Sequence, residues 1–127
     1  MIYGTGIDIQ NIGKFKKLLD RSESKFVTRV FTDREISYSK KKDYNQSLAG
    51  RWTAKEAFFK ALGTGIRSIQ SLKEVEVINL PNGKPHIFLY GELKSKFEEL
   101  NLKIDVSISH SVDYAISQVI ISQKPLK

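Results

Sequence analysis

Asp8 interrupts an apolar opening segment, and Glu56 sits within a helix-like run of large and small apolar residues. A carboxylate withdrawn from water is costly unless it is paired or bound to a cation. Two such carboxylates in a chain without cysteine point to an oxygen-ligated hard cation such as magnesium rather than zinc. Each also has an ordinary role open to it: Asp8 as a helix N-cap for residues 9–12, Glu56 as an i,i+4 partner of Lys60. Lys60 follows Glu56 by one helical turn, and its ammonium suits either a phosphate, as a compact point charge, or plain solvent. Lys55 adjoins Glu56 but is rotated away. In Ser107-Ile108-Ser109-His110-Ser111, small residues can turn backbone amides toward an oxyanion. Ser109 and Ser111 add hydroxyls there, and His110 can share a proton near neutrality or be an unremarkable loop histidine. His86 has no such setting. The sequence has no zinc signature, P-loop or dinucleotide fingerprint, and Gly63-Thr64-Gly65 is too short to be a phosphate loop by itself.

The elements that must position these groups follow from periodicity. Residues 2–9 read as a strand, and Gly4 and Gly6 within it predict a bulge or a close approach by another backbone. Ile12, Phe15, Leu18 and Leu19 make a helical stripe, with Lys14, Lys17 and Arg21 largely on the opposite side as a basic ridge. A second short pattern holds Phe26, Val27, Val30 and Phe31. Thr32 and Glu35 predict a capping box for a helix containing Ile36 and Tyr38. Residues 40–46 read as a loop or frayed end. The clearest helix is predicted over about 48–62, with Ser47 as its cap and Gly63 as its left-handed terminus. It is too apolar to be bathed in solvent and belongs at the centre of the fold. Strands are expected around Val75 and Val77 and over 85–90, on either side of a Pro81-Asn82-Gly83 turn. A helix follows with Leu93, Phe97 and Leu100, then strands holding 104–108 and 115–121. Without repeat or linker, residues 1–127 form one α+β domain: a small antiparallel sheet packed on a long central helix.

Composition narrows the partners. The net charge is +7, and residues 14–42 carry ten Lys/Arg against four Asp/Glu. That field attracts a polyanion: nucleic acid, phospholipid, a phosphorylated small molecule or an acidic protein. No apolar run approaches the roughly 20 residues of a membrane span, and the opening residues lack a secretory leader, so a cytoplasmic location is expected. Absent cysteine excludes disulfide and thiolate chemistry.

Met1-Ile2-Tyr3-Gly4-Thr5-Gly6-Ile7-Asp8-Ile9, Phe31-Thr32-Asp33-Arg34-Glu35, the run from Leu48 to Gly65, Asn82-Gly83-Lys84-Pro85 and Ser107 to Ser111 occur in one order along nearly the whole chain. Together they resemble the small bacterial holo-[acyl-carrier-protein] synthases of the 4'-phosphopantetheinyl transferase family. The resemblance implies that phosphopantetheine passes from the co-substrate coenzyme A to a serine of an acidic apo-acyl carrier protein, releasing adenosine 3',5'-bisphosphate, in fatty acid biosynthesis. It assigns Asp8 and Glu56 to a Mg2+ site and Lys60, Ser109 and His110 to the coenzyme A phosphates. It gives Gly63 and Gly65 to the shape of that site, and Lys14 and Arg21 to carrier binding. It further implies a homotrimer with active sites between subunits. Asn11 and Lys14 stand where the family commonly has an acidic residue and an arginine; lysine lacks the arginine fork, which loosens carrier recognition.

In the mechanism so implied, magnesium and Lys60 neutralise the diphosphate while Glu56, or a metal-bound water near it, takes the serine proton; His110 is the alternative base. The rival classes are a nucleic-acid-binding module and a purely structural protein. Aromatic residues at core-like helical positions, rather than among Arg/Lys on a strand, disfavour the first. In the second, Asp8 and Glu56 would be ordinary polar residues and magnesium would alter neither activity nor coenzyme A binding.

Overall fold

The computed structural model describes residues 1–63 and 69–125, so Gly65, assigned to the cofactor site above, lies outside the described residues. Ten elements follow one another: β1 (Ile2–Asn11), α1 (Ile12–Val30), α2 (Asp33–Lys40), α3 (Tyr44–Leu62), a 3-10 segment (Ile69–Glu74), β2 (Val75–Asn79), β3 (Pro85–Leu89), α4 (Gly91–Glu99), β4 (Leu102–His110) and β5 (Tyr114–Gln123). The strands form two antiparallel sheets, one of order β1-β5-β4 and one hairpin β2-β3. The architecture is a single domain of mixed helix and sheet, as expected, with two small sheets where one was foreseen.

The central helix is α3. Its sheet-facing stripe is Gly50, Thr53, Ala54, Ala57 and Ala61, all small, so backbone can approach backbone. It crosses the three-stranded sheet obliquely. Gly50 lies against Ile108 and His110 of β4, Thr53 Oγ1 shares a 2.7 Å hydrogen bond with Ser117 Oγ of β5, and Ala57 and Ala61 meet Gly6 and Gly4 of β1. A Cβ on Gly6 would run into the Ala57 carbonyl oxygen, and one on Gly4 into that of Ala61. Both strand glycines therefore serve the close approach read from the sequence, and the register irregularity falls between Ile2 and Gly4. On the other sides α3 buries Leu48, Phe58 and Leu62 against α1, α4 and the hairpin; Phe58 packs on Phe97 with ring centroids 5.5 Å apart. A helix buried on nearly every side has no polar face, which explains its apolar composition.

Several local expectations change. The two apolar patterns at 12–19 and 26–31 belong to the single helix α1, capped by Asn11, whose Oδ1 accepts from Lys14 N at 2.9 Å. Asp8 is not a helix N-cap for residues 9–12: β1 runs through it to Asn11. α3 begins four residues before Leu48, at Tyr44, with Asp43 as N-cap. Ser47 is instead buried in its first turns, sharing a 2.8 Å hydrogen bond with Ser39. The Thr32–Glu35 capping box is present in both directions, and Gly63 ends α3 at φ 86°.

Candidate functional site

The β1–α3 contact fixes the first cluster. In β1, Gly4, Gly6 and Asp8 share the face toward α3, since side chains alternate along a strand. With both glycines against Ala57 and Ala61, the Asp8 carboxylate is delivered to the flank of α3 that carries Glu56 and Lys60. Lys60 Nζ lies 2.9 Å from Asp8 Oδ1 and donates to the Ile7 carbonyl oxygen at 3.0 Å. Burial, and then the charge of Asp8, push the Glu56 carboxyl above its ordinary value, with Lys60 pulling the other way. Asp8, Glu56 and Lys60 are thus brought together across many residues of chain. Lys60 pairs with Asp8, not with Glu56 as helix spacing allowed.

These residues fit a divalent cation of a particular kind. Among the described residues no group of three or more His, Asp or Glu converges, so a dedicated all-protein cage is not built here. Two carboxylates that raise each other's charge energy suit Mg2+, which is held by one or two carboxylates and completed by substrate phosphates and water.

A second cluster lies on the other flank of α3. Arg51 and Lys60 are nine residues apart, which at about 100° per residue sets them on opposite sides of the helix, roughly 14 Å apart along its axis. Around Arg51 opens a cleft of about 300 Å³ lined by Tyr38, Lys42, Ser47, Asn79 and His110, with Gly83 and Pro85 at its rim. Arg51 is buried; it donates to Ser47 Oγ at 3.1 Å and to Asn79 Oδ1 at 2.6 Å, and its guanidinium stacks 4.4 Å from the centre of the Tyr38 ring. Its Nε has no hydrogen-bond partner among the described residues. Arg51 lines this cleft, and a guanidinium there is a ready partner for an anionic ligand.

His110, the last residue of β4, points into this cleft. Its ring rests on α3 where a Cβ on Gly50 would approach Nε2 to 2.6 Å, so glycine at position 50 makes room for the imidazole. Burial lowers its basicity below the ordinary 6.5, offset in part by the Gln46 backbone. The ring is therefore neutral at pH 7. Below pH 6.5 the unfolded chain binds a proton that the folded chain resists, so stability falls as pH drops from 6.5 through the folded value. Following the His110 ring signals by NMR should give a midpoint below 6.5, and His110→Gln should flatten that part of the stability curve. A midpoint above 6.5 contradicts this reading.

The sequence-derived residues thus divide. Asp8, Glu56 and Lys60 meet on one flank, with Gly63 one turn beyond Lys60 at the end of α3. His110 lies in the cleft on the other flank. Ser109 alternates to the face away from α3, opposite Ile116. Lys14, Lys17 and Arg21 are exposed along α1. Sequence reasoning missed Tyr38, Arg51 and Asn79; the available signal was an arginine inside a helix too apolar to solvate it. The aromatic residues of α1 and α3 pack on one another, Phe26 against Trp52 at 5.4 Å and Phe15 against both, and offer no base-stacking platform. Among the described residues no helix is long and apolar enough to cross a membrane.

Known proteins share this fold. The description "4'-phosphopantetheinyl transferase superfamily" matches residues 4–119. The chain is 46% identical to a holo-[acyl-carrier-protein] synthase of Clostridium tetani over 95% of its own length and 96% of the relative's. It superposes on the crystal structure of holo-[acyl-carrier-protein] synthase from Neisseria meningitidis with a TM-score of 0.89 at 31% identity, covering 97% of this chain and 100% of that one. The synthase from Bacillus anthracis in complex with CoA (3',5'-ADP) gives 0.81 at 35% identity, over 98% and 99% of the two chains. The chain belongs to the 4'-phosphopantetheinyl transferase superfamily.

Proposed function

We propose that this protein is a Mg2+-dependent holo-[acyl-carrier-protein] synthase, which moves 4'-phosphopantetheine from coenzyme A to a serine of apo-acyl carrier protein in fatty acid biosynthesis. The observation that carries the reading is the meeting of Asp8, Glu56 and Lys60 across the glycine-mediated contact of β1 with α3. Asp8 and Glu56 would hold the Mg2+, which would supply Lewis-acid neutralisation of the diphosphate. Lys60 adds a second positive charge on the same phosphates. The serine oxygen forms the new bond to the β-phosphorus as the bond to the nucleotide phosphate breaks, and adenosine 3',5'-bisphosphate leaves. Glu56, or a metal-bound water near it, would take the serine proton. Arg51, Lys42 and His110 provide the cleft for the phosphorylated nucleoside end, where Asn82-Gly83-Lys84-Pro85 forms the rim turn.

The two clusters occupy opposite flanks of α3, roughly 14 Å apart along its axis, which favours a site completed by a neighbouring chain. A homotrimer with active sites between subunits provides one, and an exposed apolar surface supports it. Ile7 and Ile9 of β1 are more than half exposed, and Ile116 of β5, the pairing partner of Ile9, is partly exposed on the same outer face. Light scattering should return three times the chain mass. A cytoplasmic location accords with these substrates.

Incubating the protein with coenzyme A, Mg2+ and apo-acyl carrier protein should add the mass of phosphopantetheine to one carrier serine; an unmodified carrier overturns the reading. The exposed ridge of Lys14, Lys17 and Arg21 steers the acidic carrier. Lys14→Glu or Arg21→Glu should raise KM for the carrier several-fold at low salt with kcat little changed, and the difference should shrink as salt screens the field. Equal KM values at low salt would remove α1 from carrier recognition.

A further inference from the structure

Lys60 makes two bonds that a phosphate-binding lysine does not need. Its ammonium is seated between Asp8 Oδ1 and the Ile7 carbonyl oxygen, both on β1 and both hard oxygen donors, beside Glu56. A divalent cation binding Asp8 competes with this ammonium for Oδ1 and feels its positive charge. The lysine side chain is nonetheless half exposed, at 53%, and its four-carbon stem lets the charge move without shifting α3. We propose that Lys60 is the resident counter-ion of Asp8 in the unliganded chain, and that the diphosphate of coenzyme A draws it off, so that nucleotide and divalent cation bind cooperatively. This rests on the assignment of Asp8 and Glu56 to the metal.

The physical logic is a competition. Without nucleotide, a cation shares Asp8 with the ammonium, either taking Oδ1 from it or binding against its positive charge. With nucleotide, the diphosphate offers the ammonium a more strongly charged partner and leaves both carboxylates to the metal. Linkage then requires the reverse effect of equal size: the cation raises the affinity for coenzyme A by the same factor. Lys60 is on this account a positioning residue for the metal as well as a phosphate ligand.

The test uses Mn2+ as a paramagnetic probe, with binding followed by electron paramagnetic resonance with and without coenzyme A, and no carrier present. Lys60→Met should bind Mn2+ about three- to tenfold more tightly than the wild type when coenzyme A is absent. The tightening caused by adding coenzyme A should shrink by a similar factor in the variant. Lys60→Gln, which keeps a polar stem, provides a second reading should the Met variant fold poorly. In the unaltered protein, calorimetry with and without Mn2+ should reveal matching coupling on coenzyme A. Mn2+ affinity unchanged or weakened in a folded Lys60 variant without coenzyme A overturns the proposal, as does absence of coupling in the wild type. Asp8→Asn should lose Mn2+ in both conditions. Its retention of wild-type Mn2+ binding would overturn the metal-site assignment instead, so the two failures are distinct.

Discussion

Asp8→Asn is expected to lower turnover about 10³-fold, a loss of about 4 kcal/mol of transition-state stabilisation, while the fold stays intact. The exchange keeps side-chain volume and removes one charge. In the folded chain that charge raises the energy of the Glu56 carboxylate and is countered by a half-exposed lysine. Losing a pair whose lysine is half exposed costs about 1 kcal/mol, and relief at Glu56 offsets part of it. Stability and activity therefore separate. Glu56→Gln should produce a drop of similar size, and the double variant should be scarcely worse than either single one, because two ligands of one ion fail together. Turnover, apparent Mg2+ requirement and thermal midpoint, measured on the same preparations, check this. Wild-type turnover in a folded Asp8→Asn protein would dismantle the proposed mechanism at its first residue.

How far these residues could be read in advance depended on whether their reasons were local. The two glycines of β1 announced a close approach because a missing Cβ twice in one strand has few other uses, and α3 supplies the backbone that approaches. The Thr32–Glu35 box and the Gly63 terminus were legible for the same reason: each is satisfied within a few residues. The unity of α1 was not, since the polar stretch 22–24 breaks the apolar recurrence while the helix continues through it. Arg51 escaped notice because its partners, Tyr38 and Asn79, come from other elements on either side of α3 in the sequence. The division of the site between two flanks of α3 was hidden as well. Both groups of residues lie on or against one helix, and only its angular arithmetic and the β4 contact at Gly50 separate them.

Lys55 is the residue whose neighbour drew attention for catalysis while its own role is to hold the scaffold. It is fully buried, and all three ammonium hydrogens are used: to Glu35 Oε1 at 2.7 Å, to the Leu72 carbonyl at 2.7 Å and to the Val30 carbonyl at 2.8 Å. Glu35, equally buried, accepts in turn from the backbone N–H groups of Thr32 at 2.9 Å and Val77 at 2.8 Å. One ion pair thus ties α3 to the end of α1, the start of α2, the 3-10 segment and β2. Burial lowers the basicity of Lys55, and Glu35 opposes that fall. Lys55→Met fills the space but strands the Glu35 charge and two carbonyl oxygens. The expected cost is about 3–5 kcal/mol, a large share of the roughly 5–15 kcal/mol that holds a domain together, with a fall in Tm of about 10–20 °C. Adding Glu35→Gln to Lys55→Met should recover part of that loss, since it removes the unpaired charge. Because α2 carries Tyr38 onto Arg51, the surviving folded fraction of Lys55→Met should also show a higher KM for coenzyme A than for the carrier relative to wild type. A Tm within about 2 °C of the wild type would mean that the pair contributes no more than a well-packed apolar contact does.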